Sequence, residues 1–353
     1  MKAITIIPKV KGKVSLMHIK KPVCTANNVL VKVLEAGVCR TDLEIYEGLY
    51  GEPPKGENFL IMGHESLGVV EETGERIKGL KLGDLVVRTV RRPCTSKCVN
   101  CETGETDMCL SGEFVETGIK GLHGSMVEYF VEEPDFLVRV PEKFRDVGVL
   151  MEPLSFSEKA VRQAYSVQQR MLWNPKRALV LGAGPIGLLV AMILRNKGLD
   201  TKVAAWSKRG NLKSSIVEEI GAEYVSVQDT ELSQLGKFDI IIEASGSVER
   251  ISDVFKLINT NGVLCLTSIT GGNKRLYFPL EEINLDMVLG NKAVVGVVNA
   301  NIADYAQGIK DMDDFEAKWP GTLKKFITRR VNSDSFKKAF EKSPEDIKIV
   351  IEF

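Results

Sequence analysis

Net charge is missing from this chain: 47 Lys plus Arg offset 47 Asp plus Glu over 353 residues. A balanced surface offers no global attraction to a polyanion or an anionic bilayer, which sets aside nucleic acid and membrane as expected partners. Long apolar runs are missing too. Residues 1–8 are apolar for only a few positions before Pro8. That is too short for a secretory hydrophobic region, and no later run reaches the ~20 residues of a membrane span. A reducing cytoplasm is therefore the expected location. Histidine is scarce, with three in all, so an imidazole ligand or base has few candidates among His18, His64 and His123. Internal repeats and low-complexity tracts are absent, and the length exceeds what one hydrophobic core usually serves, so two domains are expected.

Cysteine, by contrast, is concentrated. Cys94, Cys98, Cys101 and Cys109 fall within sixteen residues, spaced C-x3-C-x2-C-x7-C. Four soft thiolates on one short loop suit a single tetrahedral zinc with Zn–S bonds of about 2.3 Å. Disulfides are the weaker reading for a large chain expected in a reducing compartment. Four thiolates leave no open coordination position, so this zinc would be structural. Cys24 and Cys265 read as plain buried thiols.

Two styles of sequence follow one another. Up to residue 155 the chain reads as short β segments (29–35, 67–72, 85–90 and 126–131) separated by glycines and polar loops, with 53–57 a loop. Residues 155–172 suit a helix. From residue 177, apolar strands at 177–181, 202–206, 224–227, 238–244, 262–269 and 293–298 accompany helices at 185–197 and 212–220. Such alternation predicts a parallel, doubly wound sheet. The last strand-like stretch, 347–353, is expected to return to the first domain.

Gly182, Gly184 and Gly187 form a G-x-G-x-x-G run, with Pro185 and Ile186 inside it. The run ends a predicted strand and opens a predicted helix, the context in which it signals a dinucleotide pyrophosphate at a helix N-terminus. At the end of the second strand an NAD site normally offers an acid to the ribose. Here the turn reads Trp206-Ser207-Lys208-Arg209-Gly210-Asn211. Ser207, Lys208 and Arg209 suit a 2′-phosphate, which favours NADP, with NAD kept as an alternative.

Cys39, His64, Glu65 and Glu152 are the other residues with metal-ligand chemistry in suggestive settings. A catalytic zinc takes about three protein ligands and keeps one position open. In order along the chain stand Gly37-Val38-Cys39-Arg40-Thr41-Asp42, Gly63-His64-Glu65, the four-cysteine run, Glu152-Pro153-Leu154 and the glycine turn. In that order they resemble a zinc-dependent member of the medium-chain dehydrogenase/reductase superfamily. The stretch from Gly112 through Glu116 and Gly118 to His123-Gly124, and the segment Asn291–Asn299 around Gly296, are similar to those of the archaeal-type glucose 1-dehydrogenases.

The resemblance implies an α/β protein with a mainly β, GroES-like catalytic domain (1–170, structural-zinc lobe 91–110), a Rossmann domain (171–299) and a C-terminal return to the catalytic domain (300–353). It implies two zincs per chain, NADP, and a homotetramer or homodimer. Cys39, His64 and Glu152 would surround the catalytic zinc, with Glu65 an alternative ligand. Thr41 would join the proton relay with Glu65 or Glu152 as acceptor, and Asp42 would stand behind the ligands. Thr41, Glu116, Glu152 and Asn299 would contact an aldose. The expected reaction is oxidation at C1 to the lactone with hydride transfer to NADP.

Departures are Arg40 after the zinc cysteine, one extra residue in the first cysteine gap, and Val90 where a polar sugar contact is common. A polyol or alcohol dehydrogenase of the same superfamily is the nearest alternative. A non-catalytic zinc protein that grips a partner through Arg91, Arg92 and Lys97 is the remoter one. Those cations, with Glu102, Glu105 and Asp107 beside them, read as a solvated surface loop.

Overall fold

Strand Val29–Val38 organises the first unit of the computed structural model, which describes residues 1–269, 277–341 and 343–353. Its β-branched and aliphatic side chains are buried along most of its length, so it accepts neighbours on both edges. Glu65–Thr73 pairs with it antiparallel on one side and Lys348–Glu352 on the other, while Tyr129–Glu132 pairs at its first residues. Leu85–Arg88 and Leu137–Val140 extend the sheet beyond Glu65–Thr73, and Ile327–Asn332 lies parallel outside Lys348–Glu352. The expected return of the C-terminal strand is therefore a sheet pairing, which lays Ile349 beside Val38 and Glu352 beside Glu35. Ile4, Leu60, Met62, Met126 and Ile351 are among the residues of one core, and Val31, Val33, Val70 and Phe130 belong to a second.

The second unit is built on a six-stranded parallel sheet. Its strands run in the spatial order Glu223–Ser226, Asp200–Ala205, Arg177–Leu181, Phe238–Glu243, Ile258–Leu266, Ala293–Gly296. Numbered along the chain this is 3-2-1-4-5-6, the doubly wound order with its switch point at Arg177–Leu181. Helices Pro185–Asn196 and Leu212–Glu219 connect the first three strands. Leu179, Ile241, Val254, Phe238 and Leu264 share its core.

The units comprise Met1–Ser155, Asn299–Ile309 and Leu323–Phe353 on the one hand, and Phe156–Val298 with Lys310–Thr322 on the other. The expected boundary at 299/300 lies one residue from the change at 298/299, whereas that at 170/171 lies beyond the change at 155/156, and residues 310–322 leave the expected C-terminal return. The division falls inside helix Met151–Val167, and residues 310–322, the end of helix Ile302–Lys318 and its exit, belong to the second unit, where Asp311 and Lys318 bond to Asn196 and Thr322 to Glu219. That first helix also starts earlier than position 155, because proline is tolerated in a first turn, where its missing N–H has no intrahelical partner. Among the described residues no helix is long and apolar enough to cross a membrane.

Candidate functional site

Cys39 follows strand Val29–Val38 and caps helix Arg40–Tyr46. Its N–H donates to Asp42 Oδ2 at 2.9 Å, and its sulfur accepts the Thr41 N–H at 3.2 Å. Thr41 is half-buried in the first turn of that helix. Pairing of Gly37 with Glu65 across the sheet sets His64 and Glu65 beside Cys39. The glycine is required there: a Cβ on Gly37 would stand 2.1 Å from Glu65 Oε2. His64 Nε2 lies 3.0 Å from Cys39 Sγ, and the ligand atoms of Cys39, His64 and Glu65 all fall within 4.8 Å of one another. Behind the ring, His64 Nδ1 and Asp42 Oδ1 are 3.7 Å apart, both buried and without a hydrogen bond. A carboxylate in that place fixes the orientation of a ligating imidazole. Sulfur, ring nitrogen and carboxylate converging in this way fit zinc.

The electrostatics point the same way. Burial pushes the Cys39 thiol up against the opposing pull of His64, raises Asp42, and brings Glu152 up to about 7. Burial favours neutral His64, yet Cys39 and Asp42 hold it well above its ordinary value. A divalent cation among these groups reverses the cost of each anion.

Lys348, unremarked in the sequence, is fully buried and donates to both Glu65 oxygens, at 2.7 and 2.5 Å. The one signal for it was a lysine within an isoleucine-rich terminal strand. Glu65 is thus shared between Lys348 and the Cys39–His64 pair. Glu152, in the first turn of helix Met151–Val167, is half-buried and feels the charge of His64, but it stands outside the three-donor set.

Glu116 and Asn299, distant in sequence, meet in the same unit: Asn299 Nδ2 donates to Glu116 Oε1 at 2.9 Å. Asn299 has φ +59°, the left-handed conformation that asparagine tolerates better than most residues. Arg91 joins them, donating to the same oxygen. Arg91 and Arg92 are only 6% and 8% exposed, so the expectation of a solvated basic loop is corrected for these two, while Lys97 is exposed. Arg92 is paired with Glu132, as is Arg88, because an unpaired guanidinium could not be left in this interior.

The four cysteines of the lobe also converge, their sulfurs within 4.8 Å of one another and none in a disulfide. The edge of an S4 tetrahedron around zinc is ~3.8 Å, and Cys98 Sγ to Cys109 Sγ is 3.9 Å. Backbone N–H groups of Cys98 and Leu110 donate to Cys94 and Cys98 sulfurs at 3.3 and 3.4 Å, which favours the thiolates. Cys265 is a buried thiol as expected, pushed up to about 12 by desolvation, but Cys24 is half-buried.

In the second unit, strand Arg177–Leu181 leads into Gly182 at φ +101°, and Gly184 caps helix Pro185–Asn196 with Pro185 at its first position. A Cβ on Gly187 would lie 1.9 Å from Gly182 O, so the third glycine is needed for packing, while a Cβ on Gly184 would meet nothing within 4 Å. That open approach to exposed N–H groups is where a pyrophosphate fits. Ile186, half-buried, follows in the first helical turn.

At the basic turn, Ser207 Oγ is 2.6 Å from the Tyr224 hydroxyl, and Arg209 donates through Nε and Nη2 to Tyr224 O at 3.0 and 2.6 Å. Lys208 is exposed. No acid stands in this turn. The double change Lys208→Ala with Arg209→Ala is expected to lower the NADP/NAD ratio of kcat/KM by about 10–100-fold, from two charge-assisted contacts at about 1.5–3 kcal/mol each reduced by solvent exposure. The ratio cancels any general loosening of the turn, and an unchanged ratio removes both residues from 2′-phosphate binding.

Residues 145–353 match the family model described as glucose dehydrogenase C-terminus, and residues 25–142 match the alcohol dehydrogenase GroES-like domain. Over its whole length the chain is 44% identical to a glucose 1-dehydrogenase of Methanocella arvoryzae, and 41% identical to glucose 1-dehydrogenase 1 of Caldivirga maquilingensis, each covered to 99%. A solved structure of Haloferax mediterranei glucose dehydrogenase in complex with NADP, Zn and gluconolactone superposes with a TM-score of 0.91 at 31% identity, covering 100% of this chain and 99% of that one. With a GroES-like domain, a Rossmann sheet and these relatives, the chain belongs to the glucose dehydrogenase family of the medium-chain dehydrogenases/reductases.

Proposed function

We propose that this chain oxidises an aldose at C1 to the lactone, with D-glucose the first substrate and D-galactose a second, passing hydride to NADP or, less well, NAD. The observation that carries the reading is that one unit holds both the Cys39–His64–Glu65 donor set and a carboxylate–amide pair, Glu116–Asn299, suited to sugar hydroxyls. The names of the full-length relatives support it.

Cys39 and His64 would hold a catalytic zinc together with Glu65 or Glu152, and Cys94, Cys98, Cys101 and Cys109 a structural one. When bound, the catalytic zinc supplies Lewis acidity to the sugar's C1 hydroxyl and NADP supplies the hydride acceptor. Thr41 takes part in moving the hydroxyl proton, with Glu65 or Glu152 as its acceptor. Glu116, Asn299 and Glu152 orient the sugar. Gly182, Gly184, Pro185, Ile186 and Gly187 receive the pyrophosphate, and Ser207, Lys208 and Arg209 the 2′-phosphate. A homotetramer or homodimer in a reducing cytoplasm goes with this reading.

The test is a panel of aldoses, polyols and simple alcohols with NADP and with NAD, followed by nucleotide absorbance. Glucose with NADP is expected to give the highest kcat/KM. A polyol or aliphatic alcohol in first place overturns the substrate assignment. Chelator treatment that removes zinc is expected to end turnover while NADPH, titrated by fluorescence, still binds. Full turnover by zinc-free protein removes the metal role.

A further inference from the structure

We infer that Arg91 is a positioning residue for sugar recognition: it holds the Glu116 carboxylate in one orientation and ties it to the four-cysteine lobe. The inference rests on the aldose reading above. Arg91 and Glu116 stand directly opposite each other on the antiparallel strands Arg91–Arg92 and Val115–Thr117, and both are buried. Arg91 Nε and Nη2 donate to Glu116 Oε1 at 3.1 and 3.0 Å, and Asn299 Nδ2 adds a third bond to that oxygen at 2.9 Å. No donor among the described residues reaches Oε2. The carboxylate is therefore asymmetric, with one oxygen spent on the protein and the other left to accept from a hydroxyl.

The guanidinium is itself fixed from three sides. Its remaining nitrogen, Nη1, donates to Asp107 O at 2.8 Å, in the short 3-10 turn Thr106–Met108 that directly precedes Cys109. Its face lies over the Phe114 ring, 3.7 Å from the centroid. A second tether runs in parallel: Asn301 Nδ2 donates to Glu105 Oε2 at 2.8 Å, joining the Asn299 segment to the same side of the lobe. Each arm of the hydroxyl-binding pair is thus anchored to the loop whose cysteines converge. A plain counter-ion for buried Glu116 would need only a positive charge, which lysine supplies. Orientation needs the planar fork, which lysine lacks. This difference makes the two roles separable.

The experiment compares wild type, Arg91→Lys and Glu105→Ala on glucose and on its 2-, 3-, 4- and 6-deoxy analogues, with NADPH binding measured by fluorescence. Wild type is expected to lose at least ~100-fold in kcat/KM on one or more deoxy sugars, since a site built to bond a hydroxyl rejects the analogue lacking it. In Arg91→Lys that penalty is expected to shrink to below ~10-fold, with the glucose KM raised about tenfold, kcat changed by less than about threefold, and NADPH affinity unchanged. Glu105→Ala, which leaves Arg91 and Glu116 in place, should shift the penalty the same way by a smaller factor through the Asn299 arm alone; should Arg91→Lys fail to fold, Phe114→Leu, which takes away the ring beneath the guanidinium, carries the test with the same expected shift.

A penalty that survives in the variants, or a uniform fall in kcat/KM for glucose and every analogue alike, overturns the positioning role while leaving the aldose reading intact. So does a wild type that loses less than ~10-fold on every analogue. A wild type active on no aldose brings down the reading and this inference together.

Discussion

Replacing His64 by alanine is expected to lower kcat for glucose by at least ~10³-fold, about 4 kcal/mol of transition-state stabilisation. The effect should be this large because nothing can substitute. Of the three histidines in the chain, His64 is the one whose ring nitrogen lies 3.0 Å from Cys39 Sγ, and its other nitrogen faces buried Asp42. Truncation leaves Cys39 and Glu152, which burial drives toward their neutral forms, and Glu65, which is already bonded to Lys348, a poor remaining donor set for a divalent cation. Zinc per chain, measured by elemental analysis, should fall by one, because Cys94, Cys98, Cys101 and Cys109 form a separate cluster. NADPH binding should persist, since the glycine turn belongs to the other unit. A His64→Ala protein with kcat within tenfold of wild type would remove the Cys39–His64 pair from the reaction.

The second large effect is on stability. Lys348→Met should destabilise the zinc-free protein by about 3–5 kcal/mol, the usual cost of stripping a buried charge of its partner. Both Glu65 oxygens accept from Lys348 Nζ, and the two side chains are 2% and 0% exposed, so water cannot take over the lost bonds. The double change Lys348→Met with Glu65→Gln should recover more than half of that loss, because it removes the stranded carboxylate along with its cation. Urea unfolding of the three proteins measures both. If the double variant is as unstable as the single one, the cost comes from altered packing of the strand Lys348–Glu352 and the ion pair is not its source. The pair is also a reason to expect Glu65 to be a restrained ligand: each movement of its carboxylate toward the cation must loosen a buried ammonium.

Much of the second unit could be read from the chain alone. Arg177–Leu181 and Leu212–Glu219 lie within a residue or two of the expected segments, because apolar runs bounded by glycine or a capping residue are local signals. The pairing Asn211–Ser214 that caps the latter helix is of the same kind. In the first unit only part of the strands is legible: Lys2–Ile6, Val14–His18, Leu137–Val140 and Ile327–Asn332 are among those that carry no sequence expectation, and no strand's partner is named. Val29–Val38 and Lys348–Glu352 come together from opposite ends of the chain, and no periodicity names a partner. The burial of the arginines is not legible in the chain for a related reason. Arg91 and Arg92 sit among acids in a loop-rich stretch, the composition of a solvated surface, and only the fold buries them against Glu116 and Glu132.

What the linear order of residues determined by itself were the features whose chemistry depends on short spacing. The four thiols that converge and the glycine turn that opens a helix need only a few peptide units to form, so their geometry is written in the number of residues between them. What only the tertiary structure decided were the partners. Lys348 reaches Glu65 across 283 positions and Asn299 reaches Glu116 across 183. Such contacts arise from strand pairing and core closure. The cost of burying a charge then selects, among many distant candidates, the counter-charge that the folded backbone brings within bonding distance.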